Sequence, residues 1–258
     1  MWLRTPFGVR NGPPHFQRSM NEAIAGAGLQ ELLGCFIDDL ATGGQNHTEC
    51  AQRAAAMFAM LATRRLLAGA DKVFLGLNEI RFLGYLLKDG TASPDPDKVT
   101  AIHRLLPPTT RSEVRSFLGL TGYYRDFVEK YAAKARPLTD LLKEDVPWAW
   151  DDACAAAFQR LKTYLTTAPI LAIPQPDRPY TVHTDFSHLA IGAILEQRHA
   201  DNKQHVVCYA SRRCSAEAKL GPTDGELLAL VFAVEKFHVY LAGTKFTIVT
   251  DHAALVVL

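Results

Sequence analysis

Residues 180–196, Tyr-Thr-Val-His-Thr-Asp-Phe-Ser-His-Leu-Ala-Ile-Gly-Ala-Ile-Leu-Glu, decide the fold. Tyr180–Thr184 and Ala190–Glu196 flank a short polar turn and read as paired strands, and Val206–Ala210 supplies a third. From Thr223 to about Leu241, residues Leu227, Leu230, Val231, Val234, Phe237 and Leu241 recur at helical spacing. Lys245–Thr250 then reads as a fourth strand ending at Asp251, and the chain stops as a further helix starts. A meander, a crossover helix and a returning strand predict a mixed sheet with one parallel pairing.

Upstream, Pro169, Pro174, Pro176 and Pro179 punctuate the approach to this unit, after a helix carrying Ala157, Phe158, Leu161 and Leu165. Ser93-Pro94-Asp95-Pro96-Asp97 is a boundary that also starts a helix, with Asp95 as its cap and Pro96 at the first helical position. Thr110-x-x-Glu113 is a capping box for the next helix, which carries Val114, Phe117 and Leu118. Nearer the start, a helix follows Pro13-Pro14 and stops near Gly26 and Gly28. Leu32–Ile37 reads as a buried strand leading to Asp38-Asp39 and Leu40-Ala41, and residues 49–67 as an Ala-rich helix. Lys72–Leu75 and Ile80–Leu87 read as two short strands. The fold class expected is therefore multi-domain α+β with an α/β unit at its end.

The composition, 258 residues with 48% apolar and 21% charged, is that of a globular chain. No apolar run approaches the roughly 20 residues that span a bilayer. The first residues lack the pattern of a signal peptide. Five scattered cysteines suit a reducing compartment better than a disulfide framework. An intracellular protein with no membrane partner is expected. The net charge of +1 is unevenly spread: −1 over residues 1–97, +5 over 98–143 and −3 over 144–258. The basic middle segment is either a solvated helical face or a phosphate-contacting one.

Two groups of carboxylates carry chemistry. Asp38-Asp39 at a tight hairpin is either ordinary turn composition or a platform of hard oxygen ligands for a divalent ion. Asp185 ends the first strand of the C-terminal unit, Glu226 lies in the first turn of its helix, and Asp251 ends its fourth strand. Parallel pairing of those strands would set Asp185 beside Asp251, and three converging carboxylates require cations. Such a cluster can hold two metal ions for phosphodiester hydrolysis. The plainer reading makes Asp185 and Asp251 strand-end residues and Glu226 the partner of Thr223 in a capping box. His252 is either a site residue or structural. Cys208, Cys214 and His205 match no standard zinc spacing.

These residues resemble the reverse transcriptase–ribonuclease H segment of LTR retrotransposon polyproteins, especially the gypsy-like type, along essentially the whole chain. Thr5-Pro6-Phe7-Gly8-Val9-Arg10-Asn11-Gly12-Pro13 through Gln17 is similar to the polymerase motif under the templating base and incoming nucleotide, and Phe36-Ile-Asp-Asp-Leu40 to the palm's paired-aspartate box. Phe82-Leu-Gly-Tyr85 resembles the primer-holding hairpin. Residues 115–124 and 137–142 resemble the thumb. Thr184-Asp185-Phe186-Ser187, Thr223-Asp-Gly-Glu226 and Thr250-Asp251-His252 resemble three successive ribonuclease H acid motifs. Thr5 stands where the family usually has Met, and Phe186 where it usually has a small residue.

The resemblance implies a partial palm over 1–90, a helical thumb over 91–145, and a tether and ribonuclease H-like domain over 146–258. It implies RNA-directed DNA polymerisation and hydrolysis of RNA in RNA–DNA hybrids, with RNA template, DNA primer, hybrid and dNTPs as partners. Asp38 would be a direct ligand and Asp39 a supporting one for Mg²⁺, with Mn²⁺ as a substitute. Phe7 and Gly8 would shape the nucleotide pocket, and Asp185, Glu226 and Asp251 would hold the nuclease metals. The third palm aspartate and the fourth ribonuclease H acid of the family have no counterpart in this sequence. The isolated chain is therefore expected to show negligible polymerase and weak or no nuclease activity. The alternative is an inactive remnant of a decayed element, at most a nucleic-acid-binding module. A cytoplasmic particle or the nucleus would be its location, and oligomeric state is open.

Overall fold

Helix starts and turn chemistry set the elements in a computed structural model that describes residues 8–175, 177–250, 252 and 255. Its contacts divide the chain into two units, Met1–Phe82 and Leu83–Leu258. In the first, Pro13 and Pro14 open α1 (Gly12–Gly26) in the first turn, where a missing N–H is tolerated. A hairpin follows, with β1 (Gly34–Phe36) antiparallel to β2 (Asp39–Ala41). α2 (His47–Thr63) is capped by the Asn46 side chain, which accepts from the Glu49 N–H at 2.9 Å. Met20, Ala23 and Ile24 of α1 bury against Met60 and Leu61 of α2 together with Leu29 and Leu33. Each large side chain so buried contributes about 1.5–3 kcal/mol.

Three of the expected strands are corrected, the first being Leu32–Ile37, which shortens to β1 and is not buried, with Phe36 53% exposed. Lys72–Leu75 is no strand: a single 3₁₀ turn covers Ala70–Lys72, and Phe74 and Leu75 stand 73% and 60% exposed. Strand-like composition forms no strand without a neighbour to pair with. Ile80–Leu87 is broken in two, β3 (Glu79–Phe82) closing the first unit and β4 (Tyr85–Lys88) opening the second. The break falls at Leu83 (φ 48°) and Gly84 (φ 73°), left-handed residues that cannot continue a strand.

In the second unit β4 pairs antiparallel with β5 (Thr91–Pro94). Asp95 caps α3 (Pro96–Arg104), and Thr110 caps α4 (Arg111–Tyr123) by accepting from the Glu113 N–H, both as expected. The Tyr124 hydroxyl at the end of α4 donates to the Gly84 carbonyl at 2.8 Å, tying the turn before β4 to the helices. Two short helices, α5 (Tyr131–Lys134) and α6 (Arg136–Asp140), lead to α7 (Asp152–Thr166). Ile102, Val114, Phe117, Leu138, Phe158 and Leu161 form their common core. β6 (Leu171–Ala172) then pairs with β5.

The last sheet runs in the order β10-β7-β8-β9. β7 (Tyr180–Phe186), β8 (Ala190–Arg198) and β9 (Gln204–Arg213) form the antiparallel meander, each longer than expected from sequence. The crossover helix is α8 (Pro222–Lys236), followed after Phe237 by a single turn, α9 (His238–Leu241). β10 (Phe246–Val249) returns parallel to β7, with Val249 opposite His183. Tyr180, Val182, Ala193 and Leu195 pack on Ala233, Phe237 and Leu241. By strand alternation, His183 and Asp185 belong to the other face. No described helix is long and apolar enough to cross a membrane.

Candidate functional site

Asp38 and Asp39 sit at the tip of the β1–β2 hairpin, both exposed, with Asp39 opposite Phe36 across a two-residue turn. The first residue of that turn, Ile37, has φ 55°, a value that a β-branched side chain rarely adopts. Gln17 of α1 holds it there: its Oε1 accepts from the Ile37 N–H at 2.6 Å, and its Nε2 donates to the Cys35 carbonyl at 3.4 Å. The turn is over-determined from outside the hairpin, and two open carboxylates are presented at its end. Exposed oxygen-only donors suit a hard cation that keeps part of its water. Gly8 adopts φ 85°, open to glycine and strained for other residues, and Phe7 lies outside the described residues.

In the second unit, Asp185 near the end of β7 is the register partner of Gly192 on β8. Its Oδ2 lies 3.0 Å from the Lys130 Nζ. Glu226 comes from the first turns of α8, and its Oε1 accepts from the Phe186 N–H at 3.2 Å. The Glu226 carboxylate is therefore seated on the residue that follows Asp185. The capping-box reading of Glu226 is corrected here. α8 starts two residues earlier than a cap at Thr223 implies, with Gly221 as its cap residue and no side-chain cap bond. Thr223 lies inside the first turn, and its Oγ1 is 2.9 Å from His252 Nε2. His252 thus links the end of β10 to the start of α8. Asp251 lies outside the described residues, which contain no group of three or more His, Cys, Asp or Glu side chains able to hold a metal.

Phe186 occupies this corner because residue 225 has no side chain: a Cβ on Gly225 would approach the Phe186 ring to 2.3 Å. On the opposite face of the sheet, a cavity of about 150 Å³ is lined by Glu129, Lys130, His183, Thr184, Asp185 and Gly192, among others. Neither Lys130 nor the seat of Glu226 on a backbone amide carried a signal in the sequence. The left-handed backbone of Lys130 is set by tertiary packing, and a hydrogen bond to a main-chain N–H has no side-chain signature. The zinc alternative gains nothing. Cys208 is buried, which pushes its thiol up to about 12, and His205 Nε2 lies 2.9 Å from Asp201 Oδ2.

Much of the basic middle segment is bound within the protein. Arg125 donates to the Ser211 carbonyl and Arg111 to that of Val146. Lys143 pairs with Asp140 at 2.9 Å. Burial works against the Asp140 charge, but the hydrogen bonds and charges of Lys143 and Arg213 outweigh it and lower its pKa.

Comparison with known proteins points in one direction. Residues 1–87 match the family described as reverse transcriptase (RNA-dependent DNA polymerase), and residues 150–248 match the RNase H-like domain found in reverse transcriptase. The retrovirus-related Pol polyprotein from transposon 297 of Drosophila melanogaster is 36% identical over 256 residues, covering 98% of this chain and 24% of that protein. The transposon Tf2-3 polyprotein of Schizosaccharomyces pombe is 29% identical over 258 residues, 99% of this chain and 19% of that one. The chain thus spans a quarter or less of these relatives. Among solved structures, a foamy viral protease-reverse transcriptase in complex with an RNA/DNA hybrid gives a TM-score of 0.83 at 20% identity, over 97% of this chain and 34% of that one. A related foamy viral structure with double-stranded DNA gives 0.84 at 20% identity, over 97% and 44%. At that identity the likeness concerns the fold.

Proposed function

Because this chain belongs with the retrotransposon Pol polyproteins, joining a reverse transcriptase domain to the RNase H-like domain found in reverse transcriptase, we propose that it takes part in RNA-directed DNA synthesis and in hydrolysis of RNA within RNA–DNA hybrids. In this reading residues 1–90 are palm, 91–145 thumb, and 146–258 the tether and ribonuclease H-like domain. Asp38 and Asp39 serve polymerisation, with Phe7 and Gly8 at the nucleotide. Asp185, Glu226 and Asp251 serve hydrolysis. Mg²⁺ held by these acids would supply charge neutralisation and activation of the attacking oxygen.

The observation that carries the nuclease reading is the seat of Glu226 on the Phe186 amide. It brings an acid from α8 to the backbone of the strand end that carries Asp185, which supports the reading of a shared site. The Phe186 N–H fixes one oxygen of Glu226, and the Ile37 turn fixes the direction of Asp38. These two contacts support reading both groups of acids as oriented by main-chain geometry before any substrate arrives. The partners proposed are RNA template, DNA primer, hybrid and dNTPs. A hybrid would be recognised by groove shape and the 2′-hydroxyl rather than by base sequence.

The test is cleavage of a labelled RNA strand in an RNA–DNA hybrid with Mg²⁺ present. Cleavage that falls at least about 100-fold in both Asp185→Asn and Glu226→Gln supports the reading. Cleavage that survives both substitutions overturns it, whereas no cleavage by the unsubstituted chain matches the weak or absent activity expected of it and favours the alternative, an inactive remnant. In the second outcome, retained affinity for the hybrid would mark a nucleic-acid-binding module instead.

A further inference from the structure

Lys130 reaches Asp185 by a route in which each step is fixed. It stands at the N-terminus of α5 with left-handed backbone (φ 50°, ψ 37°). Non-glycine residues adopt that conformation rarely, and mostly where the surroundings impose it. From there its stem crosses Gly192, where an added Cβ would lie 3.5 Å from Lys130 Cγ and 3.8 Å from Cε. Gly192 is the cross-strand partner of Asp185, so the stem passes over the one residue directly opposite the acid. The ammonium ends 3.0 Å from Asp185 Oδ2. The segment around Lys130 is itself anchored on β9, where the Ala132 N–H donates to the buried Ser211 Oγ at 2.9 Å.

We infer that Lys130 is a resident counter-cation of Asp185: it orients the carboxylate and competes with a divalent cation for Oδ2. The inference rests on the proposed role of Asp185 as a metal-holding acid. A divalent ion that uses Asp185 either shares the carboxylate with the ammonium, against like-charge repulsion, or displaces it. The two side chains are 44% and 49% exposed, so the competition is modest. Removing the ammonium strengthens divalent binding by about two- to fivefold. Lys130 is a positioning residue in this account, acting on Asp185 rather than on the substrate.

The experiment titrates the full chain with Mn²⁺ as the probe metal, followed by water-proton relaxation. The unsubstituted protein, Lys130→Met and Lys130→Arg are each measured with and without Asp185→Asn. Lys134→Met serves as a charge control, because Lys134 lies over the Tyr164 ring at 4.3 Å and not on Asp185. The Asp185-dependent component should tighten about two- to fivefold in Lys130→Met and stay unchanged in Lys130→Arg and Lys134→Met. Should Lys130→Met fail to fold, Lys130→Gln replaces it. An Asp185-dependent component of equal affinity in Lys130→Met overturns the inference and leaves the metal reading intact. A titration with no Asp185-dependent component in any variant overturns the metal reading, and the inference with it.

Discussion

Phe186 and Gly225 are packed so closely that a β-carbon on Gly225 would sit 2.3 Å from two carbons of the Phe186 ring. The two residues explain each other. A large aromatic at the end of β7 fits only because the facing position of α8 has no side chain, and a glycine inside a helix costs about 1 kcal/mol relative to alanine. Gly225→Ala should therefore destabilise the protein by about 1–3 kcal/mol through overpacking. In a Phe186→Ala background the same change should be neutral or stabilising by up to about 1 kcal/mol. Urea unfolding of the four proteins in the cycle measures this. Equal costs in both backgrounds would show that the ring is not what residue 225 accommodates.

The hairpin that presents Asp38 and Asp39 turns on a second pair, Gln17 and Ile37. A single hydrogen bond of this kind contributes about 0.5–1.5 kcal/mol. Gln17→Ala should lower stability by that amount and release Ile37 from its left-handed backbone. Ile37→Asn should be neutral or stabilising, because asparagine tolerates that region. Thermal melts of the two variants check this. A stabilising Gln17→Ala would mean that the clamp carries no energy.

Glu217 gives a pH signature. The Ser215 and Glu217 backbone N–H groups, with help from Arg212, lower its pKa from 4.5 to about 2. A depressed carboxyl stabilises the fold above its unfolded value, and the contribution disappears as pH falls through the folded value. The Tm advantage of the unsubstituted protein over Glu217→Gln should therefore be constant above pH ~5 and shrink between pH ~4.5 and ~2. An advantage that grows on acidification would contradict the assignment.

Local chemistry was legible in the sequence and tertiary chemistry was not. Asp95 and Thr110 announce their helices because capping is decided within three residues. The parallel return of β10 beside β7 follows from the order of strands and helix. Thr91–Pro94 was missed as a strand because its mostly polar run and terminal proline resemble a loop, and pairing with β4 and β6 decides the matter. The break at Leu83–Gly84 was missed because only the glycine signals a turn, while Tyr123 and Tyr124, forty positions on, hold the carbonyls of Leu83 and Gly84. The five acids proposed for the two sites were read from motif and position. What orients Asp185 and Glu226, the Lys130 ammonium and the Phe186 amide, comes from other elements and leaves no local pattern.

Gln197 shows how the approach to β7 is held. Its side chain is fully buried. Its Oε1 accepts from the Gln175 N–H at 2.7 Å, and its Nε2 donates to the carbonyls of Gln175 at 2.8 Å and Arg178 at 2.9 Å. Gln197→Leu keeps the volume but leaves three main-chain groups of the 175–178 segment without these partners, at a cost of about 2–4 kcal/mol. Gln197→Glu keeps the acceptor and loses the paired donors. Burial would raise the pKa of that new carboxyl, so its stability deficit should deepen as pH rises toward neutrality and the acid ionises. Hydrogen exchange should show protection lost first at the start of β7, since the affected segment leads directly into Tyr180. Unchanged exchange there in Gln197→Leu would mean that the 175–178 segment is held by other contacts.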